Sequence, residues 1–306
     1  MTRYICFVLA LIAAFWGSHI AHASSGRGCE ATIDPSTRLI RLIYDPFDAD
    51  TASASVEFVV RSKAGRDCAF AVTVSGKGNR LERWLALGGD TLKYDISQQG
   101  RNVPNELQFG NDLLPLKRFT GQEDRFEFLF RVRNGEFARS GQYLDQVTVR
   151  LFEIGNGPPR QIGRDYVMLV IALVPARAQI TLAGSNSQIF GANPAGSIDF
   201  GSLSTGVQRH AYLQVRSTSP VLIKLDSRHD GQLRHASFGN KVGAISYRLA
   251  IDGRPVDLGT GPAYLVRNPR NGLRADNYQM DFRIGEVTNQ VGGLYQDVLT
   301  IAVEPN

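Results

Sequence analysis

Apolar residues along this chain recur with period two in short, β-branched runs at residues 39–44, 56–61, 69–75, 126–132 and 146–152, each bounded by turn-rich sequence. That alternation predicts half-buried strands rather than helices. The run at 166–174 is almost uninterrupted and predicts a strand buried on both faces. It follows the turn sequence Gly155-Asn156-Gly157-Pro158-Pro159 and can return to pair with the strand before it, so a first sheet closes on itself. Pro175 then interrupts, and runs at 179–182, 197–203, 212–216, 221–225 and 298–303 predict a second set. The expected fold is all-β, with two immunoglobulin-like β-sandwich domains at residues 24–175 and 176–306.

Two of these strands open on the same motif. Gly141-Gln142-Tyr143-Leu144-Asp145 leads into the run at 146–152, and Gly293-Leu294-Tyr295-Gln296-Asp297 leads into the run at 298–303. A glycine for a turn, a tyrosine for the core and an aspartate before a period-two run predict one supersecondary unit used twice. The second copy has no counterpart, before Asn306, of the returning strand that follows the first. A sandwich lacking that strand exposes an apolar groove and unpaired backbone groups. Ile180 and Leu182 on the first strand of the second domain, with Leu299, Ile301 and Val303 on the last, are expected to line this groove.

Composition narrows the class. With 43% apolar and 21% charged residues the chain can bury a core, and a formal charge of +5 spread along it does not point to nucleic acid. Residues 1–23 carry Arg3, an apolar run too short to span a bilayer, and the small-residue site Ala21-His22-Ala23, the pattern of a cleaved export signal. No later run reaches spanning length, so the mature chain is expected to hold no transmembrane segment. Cleavage removes Cys6 and leaves Cys29 and Cys68 in an oxidising compartment, where one structural disulfide is expected. Closing that loop is worth roughly 4 kcal/mol in the chain-entropy model.

The segment Ile198-Asp199-Phe200-Gly201, followed by sandwich-like runs and the terminal Gly293-Leu294-Tyr295-Gln296-Asp297-Val298-Leu299-Thr300-Ile301, resembles the spore coat protein U domain of pilins in Csu-type archaic chaperone-usher pili. The resemblance covers residues 176–306 best. The first domain is similar only through Cys29, Cys68 and its own terminal motif, and the second departs from the family in having no cysteine pair. The resemblance implies incomplete sandwiches held by a periplasmic chaperone, passed to an outer-membrane usher and completed by the N-terminal donor strand of the next subunit. Only Ser24, Ser25, Gly26, Arg27 and Gly28 precede Cys29 after the signal, too few and too polar to donate in turn. The expected role is therefore a two-domain adhesin at the pilus tip, exported through the periplasm to the cell surface. By the same resemblance, apolar residues in turn-like segments of the first domain would meet a biotic or abiotic surface. The candidates are Trp84, Leu85, Leu113, Leu114, Pro115, Phe47 and Phe137.

Catalytic motifs are thin. Gly201-Ser202-Leu203-Ser204-Thr205-Gly206 is not a nucleophile elbow, and Gly76-Lys77-Gly78 lacks the third glycine of a dinucleotide loop. His229 and His235 flank a turn at Asp230-Gly231, near Asp226, without a third ligand at metal-site spacing; with His210 they read as solvated loop residues. No enzyme activity, cofactor or metal is expected. A free carbohydrate-binding sandwich, a periplasmic chaperone and an exported hydrolase are the alternatives.

Overall fold

The computed structural model describes residues 29–62, 68–116, 122–183, 196–268 and 274–306. The expected export signal and residues 24–28 lie outside the described residues. Among those described every regular element is a strand. The first eleven are β1 (Ala31–Pro35), β2 (Leu39–Ile43), β3 (Ala52–Ser62), β4 (Ala69–Ser75), β5 (Arg83–Leu87), β6 (Asp90–Gln98), β7 (Arg101–Asn102), β8 (Leu114–Pro115), β9 (Glu123–Val132), β10 (Gly141–Ile154) and β11 (Arg160–Val174). The next ten are β12 (Ala178–Ala183), β13 (Gln208–Ser217), β14 (Val221–Ser227), β15 (Gln232–His235), β16 (Ile245–Ile251), β17 (Arg254–Val256), β18 (Ala263–Arg267), β19 (Asp276–Ile284), β20 (Tyr295–Gln296) and β21 (Leu299–Pro305).

Strands of residues 31–174 pair among themselves in the order β1-β3-β9-β6-β5-β10-β11-β2, with β4 on the far side of β10. β6 joins both faces of this sandwich, pairing with β9 at one end and β5 at the other. Inward-facing Phe58, Phe128, Phe130, Val147, Val149, Leu151 and Val170 are all fully buried between the layers. The Cys29–Cys68 disulfide ties the start of β1 to the start of β4. Strands of residues 178–305 form a second sandwich, β12-β13-β19-β16-β15-β20 facing β18-β14-β21. Its core centres on Val215, Val221, Ile223, Leu225, Leu249 and Ile251.

The two halves repeat one plan. β10 pairs with β4 through Val149 and Val74, and β21 pairs with β14 through Ile301 and Leu225. The repeated motif explains why. Asp145 accepts hydrogen bonds from the Tyr94 hydroxyl at 2.6 Å and the Lys77 backbone N–H at 3.1 Å. Asp297 accepts from the Tyr247 hydroxyl at 2.7 Å, the His229 backbone N–H at 3.1 Å and the Ser227 hydroxyl at 2.6 Å. In each half one carboxylate thus clasps the turn after one strand to a tyrosine of another. The motif glycines enter with φ of 143° at Gly141 and 149° at Gly293. A Cβ there would meet Leu87 at 2.5 Å or the His235 ring at 2.2 Å, so only glycine fits.

Three expectations need correction. Residues 197–203 form no strand; Ile198, Phe200 and Leu203 instead pack half-buried onto the core from an irregular segment. The run at 166–174 is buried on one face only. Met168, Val170, Ala172 and Val174 face inward, while Val167, Leu169 and Leu173 are 41–46% exposed because no layer covers the outer face. His235 is buried rather than solvated, its ring accepting from the Ser237 and Phe238 backbone N–H groups, and His229 is half-buried with a ring nitrogen 3.2 Å from the Asp297 carboxylate.

Tyr94→Phe removes the hydroxyl that Asp145 accepts from, and is expected to lower stability by about 2 kcal/mol in urea unfolding, as Tyr247→Phe does for the second clasp. Burial holds the Asp145 carboxyl above its ordinary value, against the hydrogen bonds that lower it. Its contribution is therefore fully present in acid and is lost as pH rises through the raised value. The stability difference between wild type and Asp145→Asn, followed across pH, should fall over that interval.

Candidate functional site: an open edge in the C-terminal half

The first half is sealed where the second is not. β10 is flanked by β4 on one side and, over nearly its whole length, by β11 on the other. β21 occupies the equivalent position, pairing with β14 from Leu299 to Pro305, and no described strand pairs with its other edge. β12, the other rim, pairs with β13 and with nothing else described. β12 and β21 lie beside each other without a ladder between them.

Side-chain burial follows the pairing. Val147, Val149 and Leu151 of β10 are fully buried under β11. Leu299, Ile301 and Val303, at the matching motif positions, are only half-buried, as are Ile180 and Leu182 on β12. All five touch the second core from the rim. Half-exposing a large aliphatic side chain forgoes about 1 kcal/mol of burial, so the gap is a site of unsatisfied hydrophobic contact as well as unpaired backbone. The five residues expected to line a groove thus lie on two strands that each have an edge without a described partner, packed against the second core. Phe200 and Ile198, expected on a strand at 197–203, pack onto the same core from an irregular segment.

The surface candidates scatter. Leu85 lies on β5 with no exposed surface, so it is core and cannot meet a ligand. Trp84, its neighbour on that strand, is half-buried and lies on the outer face with Ala86, which pairs with Leu144. Leu114 and Pro115 form β8 against Ala71 and Val72, and Leu114 packs onto the core. Leu113 is half-buried beside them. Phe47 and Phe137 sit near the join between the halves. The Arg216 guanidinium lies 5.0 Å over the Phe47 ring, and the Ser140 N–H, three residues from Phe137, donates to Thr218 at 2.9 Å. Two apolar groups escaped the sequence reading. Leu81, Leu107 and Phe109 are 58–89% exposed, and Ile43, Leu144, Val167, Leu169 and Leu173 form an aliphatic outer face on β2, β10 and β11.

Among the described residues no group of His, Cys, Asp and Glu could hold a metal ion, and no helix is long and apolar enough to cross a membrane.

No family model matches the chain, and no curated protein matches it. Solved structures do show a likeness. One is the CsuC-CsuE chaperone-tip adhesion subunit pre-assembly complex from archaic chaperone-usher Csu pili of Acinetobacter baumannii, at 14% identity and a TM-score of 0.46 over 90% of this chain and 99% of that one. Another is the CupB6 tip adhesin of Pseudomonas aeruginosa, at 9% identity and a TM-score of 0.41 over 90% and 92%. A third is CfaE, the adhesive subunit of CFA/I fimbria of enterotoxigenic Escherichia coli, at 12% identity and a TM-score of 0.40 over 89% and 93%.

Amide hydrogen exchange tests the open edge. Peptides covering residues 299–305 should exchange at least about tenfold faster than those covering 147–153, because only the latter are laddered on both sides. Equal protection of the two would mean the edge is closed.

Proposed function

We propose that the chain is a subunit of a chaperone-usher pilus, placed at its tip, which binds a surface through its N-terminal domain and joins the fibre through its C-terminal domain. The observation that carries this reading is the internal contrast between Val147, Val149 and Leu151, sealed by β11, and Leu299, Ile301 and Val303, left half-buried at an unpaired edge. An edge of this kind takes an extended strand: its backbone groups supply a ladder, and the spaces over Ile180, Leu182, Leu299, Ile301 and Val303 take alternate apolar side chains. The donor is a periplasmic chaperone strand during export and the N-terminal strand of the next pilin in the fibre, after hand-over at the outer-membrane usher.

The tip position is supported by how the first half uses its strands. β1 pairs with β3 and β11 with β10, so its first and last described strands are spent within their own sandwich. Such a chain accepts one strand and gives none among its described residues. The resemblance of residues 176–306 to the spore coat protein U domain agrees with that assignment, as does the Cys29–Cys68 disulfide with an exported location. The surface contact is assigned to the N-terminal domain, with Trp84 and the aliphatic outer face as better candidates than the buried Leu85. The protein works by binding rather than turnover.

Co-expression tests the reading. Produced in a periplasm together with a chaperone of the chaperone-usher class, the chain should be recovered as a soluble one-to-one complex, and alone it should aggregate or be degraded. Ile301→Asp, which places a charge under the incoming strand, should abolish complex formation. A stable monomer that ignores the chaperone would refute strand acceptance.

A further inference from the structure

The first half shows where a body continuous with a closing strand comes to rest. β11 closes β10 in the antiparallel direction, and its last residue, Val174, pairs with Gly141 of the motif. The chain then passes through Pro175 and Arg177 into the second sandwich, whose body sits against that same end of the first. The Ser140 N–H donates to the Thr218 carbonyl at 2.9 Å, Arg177 pairs with Asp45 at 3.3 Å, and the Arg216 guanidinium lies 5.0 Å over the Phe47 ring. Thr218 also holds the linker, its hydroxyl donating to the Pro175 carbonyl and accepting from the Arg177 N–H, each at 2.9 Å. The motif end of the first sandwich is thus covered by the next one.

The second half repeats the plan with that end uncovered among the described residues. β21 begins beside its motif at Leu299 and ends at Pro305, which pairs with Val221, while the Asn306 N–H donates to the Pro220 carbonyl at 2.8 Å. Pro220 is two residues from Thr218, so a strand added parallel to β21 would run its continuation into the first half. An antiparallel strand, laid as β11 is on β10, would deliver its continuation to the motif end at Gly293. There the surface is apolar. The buried His235 ring has the Phe238 ring at 4.7 Å and the Tyr295 ring at 5.1 Å, and it accepts from the Ser237 and Phe238 N–H groups. The Ala236 N–H donates to the Leu294 carbonyl at 2.7 Å and the Tyr295 hydroxyl to the Val291 carbonyl at 3.0 Å. Phe238, Val291 and Leu294 are therefore held around one imidazole, yet are 45–66% exposed. Side chains fixed in this way need little further ordering to bind, and a clustered exposed apolar surface marks an interaction site.

We propose that Phe238, Val291 and Leu294 seat the folded body of the subunit whose strand closes the second half, and that this body meets them with an apolar patch beside the root of its strand. The inference rests on the strand-acceptance reading for the arrival of the strand and goes beyond it in orientation and contact. The strand runs antiparallel to β21, and its subunit continues the row begun by the two halves of this chain. The contact differs in kind from the one between the halves, where an ion pair and a stacked guanidinium meet; here burial of aliphatic and aromatic side chains holds the body in place.

Photo-crosslinking in assembled pili tests the seat, with a photoreactive phenylalanine analogue placed in the full chain either at Thr300, exposed on β21, or at Phe238. Mass spectrometry should find Thr300 joined to the N-terminal strand of one subunit, and Phe238 joined to the folded body of that same subunit. Phe238 and Leu294 are exposed, so Phe238→Ser combined with Leu294→Ser should leave the Thr300 adduct in place. The double variant should nevertheless be shed from purified pili at least about tenfold faster on warming, as the loss of apolar interface anchors implies. A Thr300 adduct accompanied by Phe238 joined to a second copy of this chain, to a chaperone or to nothing would overturn the seat and leave strand acceptance standing, as would unchanged shedding of the double variant. Absence of the Thr300 adduct would overturn both.

Discussion

A β-strand inside a sandwich has two edges to satisfy, and β21 has a described partner for one. That asymmetry governs the C-terminal half. The core beneath it is ordinary: Val221, Ile223 and Leu225 of β14 are fully buried, and β13, β16 and β19 form a regular ladder. Among the described residues no strand ladders onto the free edges of β21 and β12. Five aliphatic side chains are half-buried there, and a row of backbone groups is open to any extended peptide of matching alternation. The unfilled edge is the weak point of this half and, in the function proposed above, the place where a strand docks.

The N-terminal half supplies the control within the same chain. It shares the plan, the glycine-tyrosine-aspartate motif and the carboxylate clasp, and differs by having β11. With β11 in place the equivalent side chains vanish from the surface. The clasps at Asp145 and Asp297 recur in both versions: each pins a turn and a tyrosine to the base of its strand. The disulfide reinforces only the first half, and the second depends on packing and its clasp.

Much of this was legible in the sequence, for identifiable reasons. Period-two runs gave the strands at 39–44, 126–132 and 298–303 because one face of each is core, whereas the strand at 69–75 is covered on both faces. The repeated motif exposed the duplicated plan because its glycine, tyrosine and aspartate each have a geometric task. Residues 166–174 misled because a continuous apolar run carries no alternation to tell one covered face from two. Trp84 and Leu85 were read together as a loop, since adjacent apolar residues do not show that a strand sends one outward and one inward. His235 was hidden because its partners, Gly293 and Tyr295, are remote in sequence and meet it only through the β15–β20 pairing.

The central claim is that one more strand completes the C-terminal sandwich. The direct measurement is the thermal midpoint of a chain extended at Asn306 by the sequence of residues 155–174, the turn and returning strand that close the first half. Supplying the missing ladder and covering Leu299, Ile301 and Val303 should raise the midpoint by roughly 10 °C, as expected for a few kcal/mol in a domain of this size. A midpoint unchanged from that of the parent chain would contradict the account.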